Sequence, residues 1–175
     1  LGVRVPAQLR SVCAVCPALD LAACARELER PSNYAYQWHF VRSLKSRMRR
    51  KAELFPGIYQ LDGLVRVRTV REFDEAITAP YCDFRDADDY YARSSARQFL
   101  GAIRVPTLIL TAQNDPFIRF DTFGDPALQS NPNITLVAPR HGGHCAFISH
   151  HRGEERYWAE ARVVDFCRKH STLGH

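Results

Sequence analysis

The spacing of apolar and polar residues changes along this chain, and the changes divide it. Residues 10 to 16, "RSVCAVC", form a short run with little polar interruption, the pattern of a strand covered on both faces. Downstream the period becomes helical. In "NYAYQWHFVRSLKSRMRRKAELFPG" the apolar residues at 34, 38, 41, 44 and 48 recur every three or four positions, which predicts a long amphipathic helix stopped by Pro56-Gly57. "TVREFDEAIT" predicts a second, with Val70, Phe73 and Ile77 on one side. "DADDYYARSSARQFL" predicts a third, its acidic residues at the start, where the helix dipole favours them. After Arg104 the strand pattern returns in "VPTLILTA" and "NITLVAP". "EERYWAEARVVDFCRKH" then reads as a closing helix with Trp158, Val163 or Val164, and Phe166 on its apolar face.

Strand, helical excursion, strand, strand, helix predicts an α/β architecture with an inserted helical cap. The core is expected in residues 1–22 and 99–175 and the cap in residues 23–98. A length of 175 residues suits one respectable core, and 46% hydrophobic with 25% charged residues argues against disorder. No apolar run reaches the length of a membrane span; "SVCAVCPALDLAAC" is interrupted by Pro17 and Asp20. The net charge of +5 comes mostly from Arg, densest in "KSRMRRK" at 45 to 51. No nucleic-acid motif accompanies that run, so it predicts a solvated helix face and no nucleic-acid partner.

Six cysteines refine the picture. Cys13-x-x-Cys16 has the spacing of a metal or redox pair, but in a strand an odd offset sends the two side chains to opposite faces. No second CxxC or CxxH follows. Cys13, Cys16, Cys24, Cys82, Cys145 and Cys167 are therefore read as small core residues in a reducing, cytoplasmic setting.

The chemistry gathers after the last two strands. The first ends in Asn114-Asp115-Pro116 and the second runs into "PRHGGHCAF". Asp-Pro is good turn chemistry in its own right. Equally, groups beyond the carboxyl ends of neighbouring parallel strands share one crevice, and an Asp and a His there form the base half of a nucleophilic triad. His141-Gly-Gly-His144 also admits a metal pair, although no third ligand stands in a clear pattern, and a plain glycine turn with two exposed histidines. As a lipase oxyanion motif, "HGG" stands too late in the chain, after the Asp. His150-His151 has neither strand tip nor glycine turn and reads as surface.

"YYARSSARQFLGAIRVPTLILTAQNDPFI", "NITLVAPRHGGHCAFI" and "WAEARVVDF" together resemble the YheT-like group of α/β-hydrolases, a branch of esterases and lipases. "SVCAVCPALDL", "TVREFDEAITAPY" and "DADDYYARSS" extend the resemblance over the whole chain. It implies the C-terminal half of an α/β-hydrolase fold, with Asp115 as the triad acid and His144 as the base. Ala146, where a glycine is expected in many relatives, and Asp83 depart from the pattern. The triad order in this fold is Ser, Asp, His, with Ser in G-x-S-x-G. No such pentapeptide occurs, and Ser11, Ser43, Ser46, Ser94 and Ser95 have no elbow context. The resemblance matches residues 10 to 16 to the family's sixth strand, so it implies that the nucleophile and oxyanion donors lie upstream. The resulting expectation is a short- to medium-chain esterase or lipase acting on a small ester or lipid, without metal or cofactor. Acyl transfer to an alcohol on the same triad and a non-catalytic binding module are the alternatives. Tyr34, Trp38, Phe40, Phe55 and Tyr59 are candidates for an acyl pocket or, equally, for cap core.

Overall fold

The computed structural model describes residues 6–149 and 155–171. The His150-His151 pair lies outside them. The chain divides into two compact units, Leu1–Leu19 with Ala96–His175, and Asp20–Ser95.

The first unit holds a three-stranded parallel sheet in the order β1 (Val12–Val15), β2 (Thr107–Leu110), β3 (Ile134–Val137). Val12 aligns with Thr107, and Thr107 with Ile134. β2 lies between the other two, and all four of its residues are buried. That is why "TLIL" shows no polar alternation, with Thr107 at its start as the one polar residue. Pairing runs on past the strand ends: Cys16 N–H donates to the Leu110 carbonyl at 2.7 Å and Thr111 N–H to that of Val137 at 3.0 Å. The three carboxyl tips are thereby held side by side, which is what the site requires.

β1 departs from expectation. Val12 is exposed and Cys13, Ala14 and Val15 are half-buried, because among the described residues β1 pairs only with β2. An open apolar groove follows it, lined by Leu9, Val12, Ala14, Leu19, Phe99 and Ile103. The closing helix, α7 in chain order (Trp158–His170), lies against β1 and β2, and its Ala159 and Ala161 are buried. Trp158, Val163 and Phe166 are half-buried and Val164 is exposed, so Val163 belongs to the packed face.

The second unit contains helices α1 (Leu21–Leu28), α2 (Tyr34–Leu54), α3 (Val70–Phe73), α4 (Ala79–Tyr81) and α5 (Ala87–Ser94). Its core joins Val41 and Met48 of α2 to Leu64, Val67, Phe73 and Ile77. The inward face of α2 is Gln37, Val41 and Met48; Tyr34 and Trp38 point to solvent, as do Phe40 and Phe55. Only Tyr59 of the aromatic set packs on this core. Arg47, Arg49, Arg50 and Lys51 are exposed around buried Met48, the solvated face expected of the basic run.

Thr69 and Glu72 close a capping box at the start of α3. A π-helical turn, Asp74–Thr78, carries α3 into α4 and presents the buried Asp74 carboxylate to the hydroxyls of Tyr91 and Thr78, each at 2.7 Å. Burial, followed by the Asp74 hydrogen bond, raises the Tyr91 pKa strongly. The third predicted helix is shorter than its pattern. Ser95 leaves the helix with its hydroxyl donating to the Tyr91 carbonyl at 2.6 Å and accepting the Leu21 N–H at 3.0 Å. A serine that bonds the backbone this way competes with helix continuation, and the chain resumes as a 3₁₀ segment, Ala96–Ala102.

The cysteines correct the sequence reading. Only Cys16 is buried; Cys13 and Cys24 are intermediate, and Cys82, Cys145 and Cys167 are exposed. A helix end, a loop and an outer helix face hold the last three, positions that residue type alone does not reveal. Cys13 Sγ lies 3.8 Å from Cys167 Sγ on α7, and burial, ahead of that contact, pushes the Cys13 thiol up to about 11.

Candidate active site

Beyond β2 the chain stays tied to β3: Gln113 N–H donates to the Pro139 carbonyl at 2.9 Å and its side-chain amide to that of Ala138 at 3.0 Å. Asp115 then turns. Its Oδ1 accepts the N–H groups of Phe117 at 2.8 Å and Ile118 at 3.0 Å, the side-chain-to-backbone turn that Asp-Pro favours. Those two bonds fix the carboxylate's orientation and leave Oδ2 pointing outward, 2.9 Å from His144 Nδ1. The Asp115 side chain has no exposed surface, whereas 36% of the His144 side chain is exposed. A dry carboxylate behind a solvent-facing imidazole holds the proton on Nδ1 and leaves the lone pair on Nε2, the tautomer a general base needs. The Phe117 ring stands edge-on to the imidazole, with centroids 5.0 Å apart. The partner of Asp115 is thus His144; His141 is exposed three residues earlier.

Comparison with known proteins bears on this geometry. No family profile matches the chain, and no solved structure matches it. It is 34% identical to YheT of Escherichia coli (strain K12) over 148 residues, which cover 83% of this chain and 43% of that protein. It is 31% identical to the phospholipase ABHD3 of Mus musculus over 127 residues, 72% of this chain and 31% of that protein. With a monoacylglycerol lipase of Saccharomyces cerevisiae it shares 35% identity over 97 residues, 55% of this chain and 21% of that protein. The chain belongs to the YheT-like α/β-hydrolases. It spans less than half the length of these relatives. Its parallel strands and helices are accordingly part of an α/β-hydrolase fold.

Within this hydrolase segment two contributors escape a reading by motif. Asn114 reads as turn chemistry, yet its Oδ1 accepts both the Gly142 N–H at 3.1 Å and the Gly143 N–H at 3.0 Å. The residue before Asp115 therefore clamps the loop that carries His144. Cys16 reads as core, but it stands at the tip of β1 with φ of 47° and its Sγ 4.0 Å from the Gly143 carbonyl. Burial pushes its thiol up to about 12. Only the three-strand register shows that it meets the loop.

The glycines answer to geometry. Gly143 has φ of 57°, where a side chain is strained. A Cβ at Gly142 would fall 2.5 Å from the Phe147 ring and 3.0 Å from Ala112 Cβ. Phe147 is buried and itself held at φ of 42°, with its ring centroid 6.1 Å from that of Trp158. It has little room to yield. Gly142→Ala is expected to destabilise the protein by about 1–3 kcal/mol, the usual cost of overpacking, read as a lower urea midpoint at unchanged slope.

Proposed function

We propose that the whole protein is a carboxylic ester hydrolase acting on small esters or lipids of short to medium chain length, through a Ser-Asp-His triad of which this chain supplies Asp115 and His144. The observation that carries the reading is the 2.9 Å bond between His144 Nδ1 and the buried carboxylate of Asp115, beyond the tips of adjacent parallel strands. Membership of a hydrolase family that includes lipases and phospholipases supports it. The nucleophile is a serine supplied from outside these 175 residues, since they contain no G-x-S-x-G.

In that mechanism the serine hydroxyl attacks the ester carbonyl as His144 Nε2 takes its proton. Asp115 stabilises the imidazolium, which then protonates the departing alcohol. His144 next takes a proton from water, whose oxygen attacks the acyl-enzyme, and the imidazolium returns that proton to the serine oxygen as the acid leaves. Residues 23–98 are assigned the part of a substrate-selecting cap. The setting is the cytoplasm, a reading supported by free thiols at all six cysteines. Among the described residues no helix is long and apolar enough to cross a membrane.

The experiment compares the complete protein with residues 1–175 alone. The complete protein should hydrolyse short- and medium-chain acyl esters and bind a fluorophosphonate serine probe covalently. Residues 1–175 should do neither, and the apolar groove beside β1 should make them aggregate. Probe labelling of a serine within the 175 residues would overturn the placement of the nucleophile.

A further inference from the structure

Cys16, His144 and Cys145 converge at the same crevice. Both sulfurs and a ring nitrogen of the histidine lie within 4.8 Å of one another. Around a tetrahedral ion with metal–sulfur bonds of about 2.3 Å and metal–nitrogen bonds of about 2.0 Å, such ligand atoms stand roughly 3.5–4 Å apart. The group therefore needs to contract by at most about 1.3 Å, the difference between 4.8 Å and roughly 3.5 Å. It has the means, because His144 and Cys145 belong to the glycine loop and Cys145 turns at φ of 64°. We propose that these three side chains form a binding site for a thiophilic divalent cation such as zinc, and that the cation shuts off the base.

Two thiolates and one imidazole select zinc or cadmium over magnesium, calcium or manganese, which prefer oxygen. Each thiol releases its proton to solvent on binding, and the fourth position stays open to water. His141 is not in the group, so the ligands differ from the His141–His144 pair that the sequence suggests. The effect on catalysis follows from the imidazole, whichever nitrogen the cation takes. At Nε2 it occupies the lone pair that accepts the serine proton, with Asp115 orienting the ring from behind. At Nδ1 it displaces the bond to Asp115. This inhibitory consequence rests on the ester-hydrolase reading; binding of the cation does not.

The sulfurs of Cys13 and Cys167, 3.8 Å apart, are a second place for a thiophilic ion, so the test uses the complete protein carrying Cys13→Ser and Cys167→Ser. Cadmium is titrated while its ultraviolet thiolate charge-transfer band and the bound metal are measured. One cadmium per chain is expected, displaced by zinc and not by magnesium. Cys16→Ser and Cys145→Ser should each weaken binding by more than about tenfold. Because Cys145 is exposed, its variant should fold whatever becomes of buried Cys16→Ser, and unchanged affinity in that variant overturns the site. Ester turnover is followed in the same titration and should fall in proportion to occupancy. Full turnover with the site filled would overturn the inhibition. A protein that binds cadmium but hydrolyses no ester at all would count against the hydrolase reading and leave the site standing.

Discussion

Asp115→Asn in the complete protein is expected to lower ester turnover by roughly 10⁴-fold, the loss seen for the equivalent change in the serine-protease template, while the fold survives. The geometry separates the two effects. The amide oxygen can keep accepting the Phe117 and Ile118 N–H groups, so the turn holds. The amide nitrogen then takes the place of Oδ2, opposite His144 Nδ1, and donates to it. Nδ1 must now offer a lone pair, which moves the ring proton to Nε2, where the base needs to be empty. Turnover and the urea midpoint measured side by side should show a large loss in the first and little in the second. Retained turnover would reassign the acid. The neighbouring candidates are already engaged elsewhere: Asp121 pairs with Arg119, and Asp125 caps the short helix α6 (Pro126–Gln129), accepting the Ala127 N–H and lying 3.8 Å from Arg97.

Why some of this was legible in sequence and some was not comes down to how many neighbours a residue's position implies. β2 announces itself, because a central parallel strand is covered on both faces and its one polar side chain, Thr107, is buried with its hydroxyl donating to the Val105 carbonyl. β1 carries the same apolar pattern and yet is open along one side among the described residues, since a pattern reports the preference of a segment and not the number of its partners. In α2 the period was right, and Val41, Leu44 and Met48 of the expected face meet the core while its first two positions do not. Tyr34 and Trp38 are apolar enough to suggest the inward stripe, but Gln37 points in and its side-chain oxygen accepts the Val70 N–H at 3.4 Å. That bond gives an inward Gln a partner on another segment, which the apolar pattern does not reveal.

The site divides along the same line. Asp115 and His144 are visible because each sits just past a strand, and parallel neighbours bring such tips together. Asn114 and Cys16 act through what they meet across the sheet, the glycine-loop amides in one case and a loop carbonyl in the other. Neither contact has a spacing signature, since both depend on the register of separate strands. The exposed positions of Cys82, Cys145 and Cys167 were equally hidden: a thiol tolerates either environment, so composition placed it in the core by default.

The sharpest separation is between the two histidines of the loop. His144→Ala in the complete protein is expected to cut turnover by roughly 10⁶-fold, the loss from deleting the equivalent base in a serine protease, while His141→Ala leaves it close to wild type. Both residues flank Gly142-Gly143, and both are at least partly open to water, so neither truncation leaves a cavity in the core. Damage to the loop alone would therefore affect the two variants alike. Only proton transfer tells them apart, because His144 makes the bond to Asp115 and His141 lies outside it. A hydrolytic metal held by both histidines predicts comparable losses in the two variants and an enzyme that a chelator stops. The triad predicts unequal losses and an enzyme that a chelator leaves running, or even speeds where zinc had been occupying the cysteine-lined crevice.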